Sequence, residues 1–297
     1  MKQNELTVRY PWPNGENGYH IRVYDSAVDF AHRDFFEHRH ADFEISCILR
    51  GKGLYRLRDG TVTLEAGDVF VFGSNQVHCI TDNDPADPLL LFNIQFEPRM
   101  LWSPAIGLSR RACLPLFSGK CERLDRNSEF SRTVSSKIRD LRDESIRREA
   151  GYDVMIRAYL DEILTLLMRR SPLSAAVAER GARRETLAGM ERALTYINAH
   201  LDSPMALGEI AAHCGFSRTY FSSLFSSLNG LTPWEYITLR RIDRSCELLL
   251  STDLSVLEVA GRCGYENLSN FNRMFARTVG MSPSAYRKKK RNGKIGI

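Results

Sequence analysis

GEIAAHCGFSRTYFSSLFSSLNGLTPWEYITLRRID (residues 208–243) and VLEVAGRCGYENLSNFNRMFARTVGMSPSAYRK (residues 256–288) are two copies of one pattern. Glu209-Ile210-Ala211 matches Glu258-Val259-Ala260, and Cys214-Gly215-Phe216 matches Cys263-Gly264-Tyr265, at a spacing of 49 residues. After one inserted residue, Phe221, Leu224, Phe225, Gly230, Thr232-Pro233 and Tyr236 match Phe271, Met274, Phe275, Gly280, Ser282-Pro283 and Tyr286. A period of this length marks one supersecondary unit used twice.

Each copy has the layout of a helix-turn-helix. A short helix, over 207–213 or 256–262, ends at Gly215 or Gly264, and glycine takes the left-handed conformation such a turn requires. Ser217 in the first copy, and Glu266 or Asn267 in the second, stand at the N-cap of the helix that follows. That helix buries Phe221, Leu224 and Phe225, or Phe271, Met274 and Phe275. It leaves Arg218, Thr219, Ser222 and Ser223 exposed in one copy, and Leu268, Ser269, Asn272 and Arg273 in the other. Such a helix fits the major groove of DNA with its N-terminal half against the base edges. One continuous helix over 233–250 joins the copies and is expected to hold the two heads about one DNA turn apart, roughly 34 Å. The competing reading, a helical solenoid for protein contact, usually needs three or more units.

The two stretches resemble the AraC/XylS family of transcription regulators, and the match runs from about residue 187 to residue 290. The resemblance implies base contacts from Thr219, Ser222 and Ser223 in the first unit and from Ser269, Asn272 and Arg273 in the second. Arg273 is the leading base-contact candidate, because a guanidinium can bond guanine O6 and N7 together. Ser222-Ser223 stand where longer polar side chains are common in the family, so readout by the first unit leans on phosphate contacts and DNA shape. Arg240, Arg241, Arg262, Arg277 and the RKKKR run at 287–291 are candidates for phosphate contact, with a solvated surface charge as the plain alternative for each.

Charge is distributed in keeping with this. Residues 187–297 hold 14 Lys+Arg against 9 Asp+Glu, so the whole formal excess of +5 lies there. The remaining 27 of each (41 less 14, and 36 less 9) cancel. No apolar run is long enough to span a bilayer and the first 20 residues lack a signal peptide's apolar stretch, so a cytoplasmic location without membrane contact is expected. Seven scattered cysteines without a CxxC pair read as reduced thiols rather than a disulfide framework.

The N-terminal half reads differently. Segments 42–49, 53–58, 61–64, 69–72 and 89–96 are rich in β-branched and aromatic residues and are punctuated by turn residues, as in a small antiparallel barrel or sandwich. Asp59-Gly60 is a two-residue hairpin signal of type I′. His38, His40 and Glu44 share parity, so on a strand they point to one face, and His78 lies on a candidate neighbouring strand. HRHADFEISCILRG fits the first cupin motif, and GDVFVFGSNQVH resembles the second, with Gly73 where Pro is usual and Asn75 where Gly is usual. Many AraC relatives have N-terminal domains of this kind. His38, His40, Glu44 and His78 are therefore candidates for effector binding and, in the alternative, ligands for a divalent metal (Zn, Fe, Mn or Ni); surface or core histidines are the plain reading. His20, His32 and His200 are expected in solvent, and Trp12 and Trp102 are expected to pack. A polyol or other carbohydrate suits a few convergent polar groups among aromatics.

Two amphipathic helices follow, over 130–141 and 155–167, the second with Met155 on its apolar face. In relatives a helix at this place forms the dimer contact. The expected fold is α+β with two domains: a cupin-like β-barrel with flanking helices over residues 1–170, a linker over 171–186, and an all-α tandem helix-turn-helix domain over 187–297. The expected function is a non-enzymatic, sequence-specific DNA-binding regulator answering to a small molecule, with no cofactor required. Its expected partners are double-stranded DNA, the effector, a second copy of the chain and RNA polymerase. The alternatives are a metal-dependent cupin enzyme carrying a DNA-binding module, and a DNA-repair methyltransferase fused to one. The latter needs an activated cysteine, and only Cys79, beside His78, comes near that description.

Overall fold

Strand β3 (Phe43–Arg50) is buried along almost its whole length, and its two faces serve different cores. Phe43, Ile45 and Cys47 join Val69, Val71, Phe92, Ile94 and Phe96 against the helices, whereas Ile48 joins Phe70, Phe72, Leu91, Tyr55 and Ile80 inside the sandwich. A strand covered on both sides reads as a continuous apolar run rather than an alternation. The computed structural model describes residues 4–10, 19–28, 37–102, 117, 121–170 and 184–291.

Around β3 lie β1 (Glu5–Tyr10), β2 (Tyr19–Ala27), β4 (Lys52–Leu57), β5 (Gly60–Glu65), β6 (Val69–Phe72), β7 (His78–Asn83), β8 (Leu90–Phe96) and, after a short helix α1 (Arg99–Trp102), β9 (Glu122–Leu124). One antiparallel sheet has the order β1-β2-β8-β3-β6-β9 and the other the order β5-β4-β7. Strands β1 and β2 were not among the segments expected to be strands. Tyr19, Ile21 and Val23 alternate inward with partly exposed His20 and Arg22, a pattern masked by the Pro/Gly-rich stretch preceding them. A hairpin joins β4 to β5, but with Leu57 opposite Gly60 its two turn residues are Arg58 and Asp59 rather than Asp59-Gly60, and neither takes a positive φ, so the turn is not type I′.

Helices α2 (Glu129–Arg147) and α3 (Tyr152–Arg170) pack together over the outer face of the larger sheet through Val134, Ile138 and Leu141 and through Ile156, Leu160, Ile163, Leu164 and Leu167. Ser128 caps α2 by accepting from the Ser131 amide. Met155, expected on the buried face, is exposed. Most of the expected linker, residues 171–183, falls outside the described residues, as do His32 and Trp12.

The C-terminal half is helical: α4 (Arg184–Ala199), α5 (Leu207–His213), α6 (Arg218–Asn229), α7 (Pro233–Ser251), α8 (Val256–Arg262), α9 (Leu268–Val279) and α10 (Pro283–Arg291). Its two units repeat each other in detail. Gly215 and Gly264 have φ of 78° and 72°, and beyond each glycine Phe216 or Tyr265 donates its amide back to Ala211 or Ala260. A side chain at Gly264 would also collide with the Leu201 carbonyl. Phe221, Phe225 and Tyr236 stack edge-on with successive centroid distances of 5.6 and 5.6 Å, and Phe271, Phe275 and Tyr286 do so at 5.7 and 5.6 Å. Among the described residues no helix is long and apolar enough to cross a membrane.

Candidate functional site

Helices α6 and α9 are the two candidate reading heads. Ser217 caps α6 by accepting from the Tyr220 amide, and Asn267 caps α9 by accepting from Asn270, so each first turn is fixed where base edges would lie. In the first unit Arg218, Thr219 and Ser223 are exposed and Ser222 is half-buried. In the second, Ser269, Asn272, Arg273 and Arg277 are exposed. Leu268 is not: it is half-buried against the core of the second unit. The sequence reading missed two groups. Tyr220, in the first turn of α6, leaves about half its surface free (49%), with its ring edge-on to Phe216. Asn270 accepts a hydrogen bond from Arg273 Nη2 at 3.0 Å and so aims the guanidinium.

Three expected phosphate contacts are engaged elsewhere. Arg240 is nearly buried: Nη1 donates to Asp42 Oδ1 at 2.9 Å, Nε donates to Asn198 Oδ1 at 3.0 Å, and Nη2 lies 3.7 Å from Glu97 Oε1. Arg241 donates to the carbonyls of Leu201 and Ser203, and Arg287 to those of Leu249 and Leu254. Arg241 and Arg287 thus satisfy helix-end or loop carbonyls that sequence spacing gives no means of seeing. Arg262 and Arg277 remain exposed.

Arg240 belongs to a junction between the two halves. His20 lies between two carboxylates, with Nε2 at 2.8 Å from Asp42 Oδ2 and Nδ1 at 2.8 Å from Glu97 Oε1. It is therefore not in solvent as expected. Burial opposes its charge, but Asp42 and Glu97 outweigh that and push it up to about 10. Two cations, His20 and Arg240, thus meet two carboxylates. Beside them Asp243, on α7, accepts from the Ala41 amide at 3.4 Å, and burial together with Asp42 pushes it up to about 6.

Two residues from Asp42, the His/Glu cluster comes together, although not by strand parity: β3 begins at Phe43, and a bend at Ala41 and Asp42 separates His38 and His40 from Glu44. His38 and His78 form an isolated antiparallel bridge, each amide donating to the other's carbonyl at 3.3 Å, so their rings share a face with centroids 4.4 Å apart. Donor atoms of His38, His40 and His78 all lie within 4.8 Å of one another. Glu44, fully enclosed beside Gln95, places its carboxylate 3.1 Å from His40 Nε2 and 3.7 Å from His78 Nε2. Gln95 donates to Glu44 Oε2 at 2.7 Å. Burial would raise Glu44, yet the bond from His40 and the charges of His78 and His40 hold it well below the usual carboxylate range. The departures from the cupin motif are explained locally. Asn75 takes φ 62°, in the left-handed region Asn tolerates best after Gly, and its amide holds the His40 carbonyl at 2.9 Å. Gly73 lies directly under the Phe117 carbonyl, where any side chain would collide. Burial pushes Cys79 up to about 11, so it is a protonated structural thiol and not an activated nucleophile. His200 is exposed, as expected, and Trp102 lies in the last turn of α1.

The model of an AraC-like ligand binding domain matches residues 21–164, and that of a helix-turn-helix domain matches residues 192–289. The chain belongs to the AraC/XylS family. Over 257 residues it is 26% identical to the HTH-type transcriptional activator RhaR of Escherichia coli, an alignment covering 85% of this chain and 87% of that one. It is 37% identical over 101 residues to the MmsAB operon regulatory protein of Pseudomonas aeruginosa, which covers only 34% of this chain and 33% of that protein. ToxT from Vibrio cholerae shares the fold, with a TM-score of 0.63 over 90% of this chain and 97% of that one, at 15% identity. As a family member the chain is a DNA-binding transcription regulator with a ligand-binding domain, and not an enzyme.

Proposed function

We propose that this regulator reads its operator directly with α6 and α9 and answers to a small molecule or ion bound at His38, His40, Glu44 and His78. The observation that carries the reading is the near-identity of the two units. Each presents an exposed, capped, polar first turn over the same Phe-Phe-Tyr stack, and both are fixed to the ends of a single helix, α7. At 1.5 Å per residue, the 19 residues of α7 give a spacer of about 28 Å, close to the pitch of a DNA turn. Arg273 and Ser269 supply direct readout, Tyr220 and Thr219 add apolar and hydroxyl contacts, and Arg218, Arg262 and Arg277 meet phosphates.

On the effector side, a carbohydrate or related metabolite suits a site whose polar groups converge beside Tyr55 and Phe72. Exposed Ile146, Val154 and Met155, around the α2–α3 connection, supply apolar surface for a homodimer, which would set four reading heads on one operator. RNA polymerase is the further partner such a regulator would contact. Selection of bound duplexes from random sequence by the full-length protein tests the reading: two half-sites about one turn apart should emerge. Recovery of unrelated sequences at moderate salt would sink it.

A further inference from the structure

We propose that Arg39, in the β-rich N-terminal half, contacts the DNA backbone: with Arg277 it forms a two-guanidinium clamp for phosphate at the C-terminal end of α9. The proposal rests on α9 as a reading head. It carries the DNA interface beyond the helix-turn-helix units, into a part of the chain whose formal charges otherwise cancel.

Position is the first support. Ser269, Arg273 and Arg277 follow one another at four-residue steps along α9, so they share one face, and all three are exposed. A reading helix meets base edges with its N-terminal half, and in homeodomains its C-terminal end meets the sugar-phosphate backbone. Arg39 Nη2 donates to the Arg277 carbonyl at 3.0 Å, which brings a guanidinium of the other half to that same end.

Arg39 is also held more firmly than an ordinary surface arginine. On one side of it His38 and His78 exchange backbone hydrogen bonds at 3.3 Å, and on the other Asn75 donates its amide to the His40 carbonyl at 2.9 Å. Ala41 and Asp42 are then tied to Asp243 and Arg240 of α7. The backbone carrying Arg39 is thus anchored to both halves within three residues. A guanidinium on a fixed root loses less freedom on meeting its ligand.

Charge is the third support. Burial, and then the Arg277 charge, disfavour the charged form of Arg39, so the two guanidiniums stand within electrostatic reach of each other. The acids around them are committed. Glu37 pairs with Arg56 at 3.4 Å, and Asp42 with His20 and Arg240. Glu235, which favours the charge on Arg39, spends Oε2 on the amide and the hydroxyl of Thr232, each at 2.8 Å. Among the described residues neither Arg39 nor Arg277 has a salt-bridge partner, and Arg39 uses one side-chain donor. Two cations brought together with donors to spare fit a phosphate, whose oxygens accept from guanidinium forks. The plain alternative is a cation capping the last carbonyls of α9, which calls for neither the second arginine nor the spare donors.

The test titrates full-length Arg39→Gln and Arg39→Lys against the operator recovered by selection and against scrambled duplex, from about 50 to 200 mM salt. Loss of one phosphate contact per chain should make the slope of log affinity against log salt shallower by about 0.9. Across that range Arg39→Gln should therefore lose about 3.5-fold less affinity than the unaltered protein does. At the low-salt end it should bind operator and scrambled duplex more weakly by one common factor, because a phosphate contact carries no sequence information. Arg39→Lys keeps the charge and should keep the slope. Arg39 is only half-buried, so both variants should fold. Glutamine can still donate to the Arg277 carbonyl, so an unchanged slope in Arg39→Gln overturns the proposal and leaves a helix cap. Equal losses in the two variants overturn it as well, since they would report a disturbed segment rather than a missing charge. The Ser269→Ala, Arg273→Ala double variant separates the underlying reading. Unchanged sequence preference there sinks α9 as the base reader, whatever Arg39→Gln does to the slope.

Discussion

Arg273 illustrates how much a single side chain depends on its neighbour. Fully exposed guanidiniums sample many rotamers, and the bond to Asn270 restricts this one before DNA arrives. Replacing Arg273 and Ser269 together by alanine should cost on the order of 2–4 kcal/mol of operator affinity and relax preference within one half-site. A titration of wild-type and variant against operator and scrambled duplex measures both effects, and an unchanged specificity ratio would exclude α9 as the base reader. His20 gives a second residue-scale expectation. Its ordinary value of 6.5 is pushed up to about 10 by Asp42 and Glu97 against the cost of burial. A group raised in this way stabilises the fold fully below about 6.5, and the contribution is lost as pH rises through about 10. Thermal unfolding should therefore weaken between neutral and alkaline pH, and His20→Gln should flatten that slope.

At the scale of elements, the tandem units stand on their aromatic stacks and on helix caps. Phe271 is completely buried between Tyr265 and Phe275. Phe271→Ala should cost about 3–5 kcal/mol, the usual loss for a large aromatic removed from a core. The damage should fall on α8 and α9 first, because Phe221 and Phe225 belong to a separate cluster. Caps contribute less. Ser255 and Glu258 form a reciprocal capping box at α8, so Ser255→Ala should lower stability by about 1 kcal/mol. Chemical denaturation followed by far-UV circular dichroism separates the two magnitudes. A Ser255→Ala loss as large as that of Phe271→Ala would contradict this account of the second unit.

The whole molecule is governed by the junction. His20 and Arg240 are each held by both Asp42 and Glu97, in a nearly closed site between the β-rich half and α7. Removing one member of such a buried set leaves an unpaired charge, at a cost of about 3–5 kcal/mol. Asp42→Leu should therefore separate thermal unfolding into two transitions, one for each half, where the unaltered protein shows them coupled. A single undisplaced transition in that variant would mean the junction carries no coupling.

Read along the chain, the matched Glu-Ile-Ala and Glu-Val-Ala and the repeated Cys-Gly-aromatic signals were enough to locate both helix-turn-helix units, their turns and the caps of their second helices, because local backbone chemistry decides those features. Parity on a strand was expected to place His38, His40 and Glu44 on one face, but β3 begins only at Phe43, and a bend at Ala41 and Asp42 brings His40 onto Glu44 instead. The fates of Arg240, His20 and Leu268 were settled only in three dimensions. An arginine at the surface of one half, and a histidine on a strand of the other, look solvated in any sequence window. They become a buried ion cluster only when the two halves meet and bring Asp42 and Glu97 within hydrogen-bonding reach. Burial and charge pairing are properties of what packs against a residue, and that partner can lie 198 positions away, as Arg240 does from Asp42.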